Sequence, residues 1–171
     1  MNLKVLETNR LTLRWVGVGD AEFVLTLLNE PSWFKYIGDR KVRTPEDARG
    51  YIERNLVAMY GEYGHGLFLV ELKDDSIPIG LCGLIRRATL DDVDLGFAFL
   101  PQFWGSGYAF ESAAAVMAYA RESHGLKRIV AITVHHNHRC INLLKKLGFQ
   151  FENNLTLEDD DEALELYAAA T

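Results

Sequence analysis

With 171 residues the chain has room for one domain with a sizeable core, expected over residues 1–171. A charged fraction of 25% and a formal charge of −6 describe a globular chain and exclude a general nucleic-acid binder, which needs a basic face. No apolar run nears the roughly 18 residues of a membrane span, and the N-terminus lacks a basic-then-apolar leader. Cys82 and Cys140 alone cannot make a disulfide framework, so the expected compartment is the cytoplasm.

In chain order, the alternation of Arg10 to Val16 predicts a first strand. Asp20 then caps a helix with Phe23, Val24, Leu27 and Leu28 inward, stopped at Pro31. Trp33, Phe34 and Tyr36 follow in a loop. Thr44-Pro45-Glu46-Asp47 is a strong helix start, with Thr as N-cap, Pro at the first helical position and acids in the first turn. That helix is expected to turn Tyr51, Ile52, Leu56 and Met59 inward and to stop near Gly61. Two strands around Asp74-Asp75-Ser76 read as a hairpin. Leu95 to Leu100 forms the fourth strand, broken by Pro101, and an Ala-rich helix runs from the glycines at 105 and 107 to just before Gly125.

Ile129 to Val134 is apolar on both faces, as a central strand is. A helical crossover reaches it, so it lies parallel to the fourth strand. Asn137 starts a helix with Ile141, Leu144 and Leu147 inward and Gly148 as its stop. Phe149–Asn154 and Ala163–Ala169 close the chain as a hairpin around the acidic turn Glu158–Glu162.

The chemistry concentrates where the fourth strand enters the long helix. Glycines let the backbone approach a ligand, the first-turn N–H groups have no helical partner, and the macrodipole favours an anion there. A P-loop string is absent, and the dinucleotide fingerprint fails at Phe110, where its third glycine belongs. Alone, a Gly-x-Gly after a strand also serves as an ordinary turn.

Gln102-x-x-Gly105-x-Gly107-x-Ala109 resembles the acetyl-CoA motif of the GCN5-related N-acetyltransferase (GNAT) superfamily. Glu7-Thr8-Asn9-Arg10-Leu11-Thr12-Leu13-Arg14 resembles the opening of its RimJ/RimL-like ribosomal-protein N-terminal acetyltransferase branch. So does Asn137 to Phe149, with its Leu143-Leu144-Lys145-Lys146-Leu147-Gly148-Phe149 ending. The resemblance implies a single α/β domain: a mixed, mostly antiparallel sheet, its fourth and fifth strands parallel and splayed, with helices on both faces.

It also implies an N-acetyltransferase that uses acetyl-CoA and no metal. Backbone groups from Gln102 through Gly105, Ser106, Gly107, Tyr108 and Ala109 would bind the pyrophosphate, and Phe99 and Leu100 would pair with the pantetheine arm. Asn137 caps its helix and would also contact the pantetheine. Asp94 stands where the family often carries a glutamate and is the candidate base; the alternative is an exposed carboxylate in the Asp91–Asp94 turn. Cys140 replaces the branch's serine, a proposed proton donor to the departing thiolate; the alternative is helix packing.

Trp33, Tyr36 and Tyr167 are candidates for the acceptor wall, with core packing as the alternative. Arg139, Lys145 and Lys146 could meet adenosine phosphates or simply be solvated. His135, His136 and His138 invite a metal, but adjacent strand residues face opposite ways. The expected partner is an amine acceptor, a peptide N-terminus or a small molecule, with neither nucleic acid nor membrane, for a monomer or homodimer. A different class also fits: an acyl-CoA-binding sensor that has lost useful transfer.

Overall fold

Lys4–Glu7 (β1) pairs antiparallel with Leu11–Trp15 (β2) across a turn in which Thr8 and Leu11 exchange hydrogen bonds. The sequence pattern announces only β2, because four residues are too few to display an alternation. Ala21–Leu28 (α1) follows and buries Ala21, Val24, Leu27 and Leu28. Asp20 stands at its N-cap, but the carboxylate turns back to the Gly17 N–H and to Arg14 instead of capping the helix. The expected loop after Pro31 is a helix, Pro31–Tyr36 (α2). Pro31 ends nothing; it is the first residue of the next helix, where its missing N–H costs no hydrogen bond.

Pro45–Tyr51 (α3), a wider π-helical stretch Ile52–Val57 and Ala58–Tyr63 (α4) run on without a break. Thr44 accepts from the Asp47 N–H and Asp47 returns the bond to the Thr44 N–H, the expected capping box. The helix passes the expected stop at Gly61 and ends at Gly64, the residue with φ of 70°. Tyr60 accepts from the Val16 N–H at 3.1 Å and donates to the Leu67 carbonyl, joining the helix to two strands.

The rest of the chain matches the expected order. Leu67–Leu72 (β3) and Pro78–Ile85 (β4) form the hairpin, followed by Asp94–Phe99 (β5) and the long helix Tyr108–His124 (α5). Arg128–Val134 (β6), His138–Lys146 (α6), Gln150–Leu155 (β7) and Leu164–Ala170 (β8) complete it. This computed structural model describes residues 3–157 and 162–171. Glu158, Asp159, Asp160 and Asp161 of the acidic turn lie outside them.

One mixed sheet holds the strands in the order β1-β2-β3-β4-β5-β6-β8-β7. Among the described residues the only parallel neighbours are β5 and β6, the expected fourth and fifth strands renumbered by β1. They share a single register pair, Asp94 with Val130, and then part. Every other pairing is antiparallel.

Both faces of the sheet are covered, as strand alternation requires. Trp15, Phe68 and Cys82 share a face by register, and α5 lies on it: Ser112 reaches Cys82, and the Tyr119 ring sits 5.7 Å from Phe68. Arg14, one residue before Trp15, points to the opposite face and meets Asp20 at the start of α1. The core between sheet and helices includes Leu11, Leu13, Phe68 and Leu69, all fully buried. Each such side chain contributes about 1.5–3 kcal/mol by leaving water.

Candidate active site

The turn after β5 is built by committed backbone groups. Leu100 donates its N–H to the Ile79 carbonyl and accepts from the Phe103 N–H, both at 3.0 Å. Gly105 and Gly107 then take φ of 78° and 84°, where a side chain would strain the backbone. The Gly107 carbonyl accepts from Glu111 at 3.0 Å, the first rung of α5. The N–H groups of Tyr108, Ala109 and Phe110 precede that rung and have no helical acceptor. Gln102 and Ser106 are exposed on the same turn.

The gap between β5 and β6 opens beside this turn. Val130 donates to the Val93 carbonyl at 3.0 Å, so odd-numbered residues of β5 aim their backbone groups at β6 while Leu100 aims at β4. Phe97 and Phe99 therefore face the gap. The two backbone groups of Leu100, expected to meet a pantetheine arm, are already engaged. The Trp104 indole occupies the Phe99 carbonyl at 2.8 Å, leaving the Phe99 N–H and both groups of Phe97 along the edge.

Gap and turn share one cavity of about 750 Å³. Phe99, Gly105, Gly107, Tyr108 and Ala109 wall it on one side, and Asn137 and Cys140 on another. Tyr36 is the one expected acceptor residue on the wall, its ring 5.6 Å from that of His136. Trp33 and Tyr167 are buried at 5% and 3% exposure and are not on that wall. Tyr167 donates to Glu165 at 2.7 Å; burial, and next the Glu165 carboxylate, push its phenol up to about 12.

Asp94 sits at the vertex of the fork, 1% exposed, instead of standing free in a turn. Arg87 Nε donates to its Oδ2 at 2.7 Å. Burial pushes the carboxyl up to about 6, against the pull of the Arg87 guanidinium and the Ile132 amide. The Asn137 side chain accepts from the Cys140 N–H at 3.2 Å, the expected cap of α6. Burial pushes the Cys140 thiol up to about 11; the neighbouring Thr133 side chain pulls it down, and the Asp94 charge adds to the rise. At neutral pH this cysteine therefore keeps its proton.

His135 and His136 do not face opposite ways. β6 ends at Val134, and both rings reach Glu162, at 3.5 and 3.4 Å. Among the described residues no group of three or more His, Cys, Asp or Glu side chains is arranged to hold a metal. Sequence reasoning missed Phe97, Trp104, Thr133 and Arg87. The parity of β5 could have found Phe97; Arg87 reaches the site through an irregular loop, which carries no periodic signal.

A splayed parallel strand pair, an open strand edge and unpaired N–H groups at a glycine-bracketed helix start together fit an acyl thioester on a phosphorylated carrier. The fold and site thus have the form of an acyltransferase. The chain belongs to the GNAT acetyltransferase family: residues 10–150 match the acetyltransferase (GNAT) domain. It is an N-acetyltransferase.

It is 30% identical over 152 residues to the uncharacterised N-acetyltransferase YoaA of Bacillus subtilis (strain 168), covering 88% of this chain and 85% of that one. An acetyltransferase of Agrobacterium tumefaciens superposes with a TM-score of 0.82 at 24% identity, over 99% of this chain and 95% of its own. RimL, a ribosomal L7/L12 alpha-N-protein acetyltransferase solved with coenzyme A, gives 0.83 at 15% identity over 98% of both chains. The GNAT fold and the splayed fourth and fifth expected strands are thus as anticipated.

Proposed function

We propose that this N-acetyltransferase carries the acetyl group of acetyl-CoA to a primary amine by direct attack on the thioester. The observation behind this reading is the single cavity shared by the unpaired N–H groups after Gly107, the open edge at Phe97 and Phe99, and the protonated Cys140. The N–H groups suit the pyrophosphate, and the strand edge suits the pantetheine amides. Asn137 suits a further polar contact on the opposite wall.

The neutral amine attacks the thioester carbon, a C–N bond forms and the C–S bond breaks. One amine proton is lost to a base, and the sulfur gains a proton. Asp94 is the candidate base, acting through a water because its carboxylate lies behind the cavity wall. Cys140 is the candidate acid.

The acceptor is best read as an α-amine, of a polypeptide or a small molecule. Such an amine, with pKa about 8, is roughly one-tenth neutral at pH 7, whereas lysine near 10.4 is below about one part in a thousand. A carboxylate behind the wall suits the amine that needs less help. RimL, which shares the fold, acts on a protein α-amine.

Release of free CoA thiol from acetyl-CoA, followed across a panel of peptides with free N-termini, free amino acids and blocked lysyl peptides, tests the reading. Turnover with α-amines is expected. Preference for ε-amines would overturn the acceptor class, and tight CoA binding with no release across the panel would make the chain an acyl-CoA sensor.

A further inference from the structure

The opening segment resembling the RimJ/RimL branch has no part in the cavity, yet it touches the phosphate turn from behind. Thr8 and Arg10 end the β1–β2 turn against Glu111, 101 residues beyond Arg10 and in the first turn of α5. Thr8 Oγ1 donates to Glu111 Oε1 at 2.6 Å, the Arg10 N–H donates to the same oxygen at 2.8 Å, and Arg10 Nε donates to Oε2 at 2.7 Å. Arg10 Nη1 reaches forward to the Ser106 carbonyl at 2.9 Å, and the guanidinium lies 4.4 Å from the centre of the Tyr108 ring.

Two consequences follow from elementary chemistry. A carboxylate in the first turn of a helix suits the macrodipole, but it repels any anion bound at the same N-terminus. Here three donors engage it and one of them is a cation. Secondly, a trans peptide plane sets C=O and N–H on opposite sides. Holding the Ser106 carbonyl towards Arg10 therefore turns the Gly107 N–H away from Arg10.

We propose that Thr8, Arg10 and Glu111 form a clamp that sets the phosphate-binding turn, with Arg10 a positioning residue that orients the Ser106–Gly107 peptide and neutralises Glu111. The clamp rests on the reading that the turn binds the pyrophosphate of CoA. It acts on affinity for the phosphorylated carrier and leaves the acyl-transfer step alone.

Calorimetric titration with CoA of the full chain and its Arg10→Met, Arg10→Lys, Glu111→Gln and Arg10→Met/Glu111→Gln variants tests it. Arg10→Met is expected to weaken CoA binding about tenfold, because Glu111 is left charged beside the phosphates. Arg10→Lys keeps the charge but loses the fork, for a loss of about threefold. Glu111→Gln should bind no more weakly than the parent, and the double variant should regain the part of the tenfold loss that comes from the bare Glu111 charge, the remainder being the lost hold on the Ser106 carbonyl.

With an acceptor from the panel, Arg10→Met should raise the KM for acetyl-CoA about tenfold and leave kcat within about twofold. A double variant as weak as Arg10→Met would overturn the clamp, since Arg10 would then meet phosphate itself or serve only folding. Glu111→Gln and Arg10→Lys carry the test if Arg10→Met fails to fold; a loss beyond about threefold in Glu111→Gln overturns it equally. A parent chain that fails to bind CoA sinks the cofactor reading and the clamp together, whereas parent-like binding by Arg10→Met sinks the clamp alone.

Discussion

Asp94 is the side chain whose environment most constrains the chemistry. A carboxyl raised to about 6 by burial is ionised at pH 7 and is a stronger proton acceptor than an exposed aspartate. If it serves as base, kcat/KM of the parent rises as pH passes 6, and Asp94→Asn loses that step. The deficit of Asp94→Asn should be largest between about pH 6 and 7, where the carboxylate is charged and an α-amine of pKa about 8 is mostly protonated. It should shrink towards pH 8 to 9, where the amine arrives neutral. A constant deficit across that range would assign Asp94 to holding the fork with Arg87. Cys140 separates in the same way: Cys140→Ala keeps the volume and removes the donor, and Cys140→Ser keeps a donor. A fall in kcat of about tenfold or more for Ala but not Ser identifies a proton donor, while equal rates identify packing of α6 against Thr133.

At the scale of elements, the turn proposed to hold phosphate is a strand end, two glycines and a helix start, and each part has a local sequence cause. That is why it was legible: Pro101 breaks the strand, and Gly105 and Gly107 alone among neighbouring residues tolerate the positive φ found there. Gly107→Glu should abolish the rise in melting temperature that acetyl-CoA gives the parent, a mass-action effect of about 2.7 kcal/mol at a hundredfold excess over Kd. Its Cβ would stand 3.3 Å from Arg10 Nη2, and any side chain at the φ of 84° would strain the turn that presents the N–H groups. An undiminished shift would place the cofactor elsewhere. The elements that escaped the sequence are short or irregular: β1 has four residues, and α2 begins at the very proline that ends the expected run of α1. The Glu111 contacts escaped for another reason. No periodicity within either segment marks a pairing 101 residues apart, so the Glu7–Arg14 stretch could be matched to a family but not given work.

Across the whole molecule, the sheet is bound to the helices of its second face through one buried charge. Arg14 on β2 is 7% exposed; it bonds Asp20 through two nitrogens, at 2.9 and 2.8 Å, and approaches Glu71 of β3 at 2.7 Å. Burial alone would raise the Asp20 carboxyl, but the Arg14 guanidinium and the Gly17 amide outweigh it and hold the group below the usual carboxylate range. Asp20 therefore contributes stability that is present above the ordinary carboxylate pKa and lost as pH falls through its lower folded value. Arg14→Met keeps much of the packing and leaves two carboxylates without their cation, so urea denaturation at pH 7 should record a loss of about 3 kcal/mol. The sign of the pH dependence then reverses for the variant. Without Arg14 the burial of Asp20 dominates, its folded pKa rises above the unfolded value, and protonation on acidification relieves the cost. The gap between parent and variant should accordingly narrow from pH 7 to pH 4. A gap that stays constant over that range would mean that Arg14 contributes through its aliphatic packing and not through its charge.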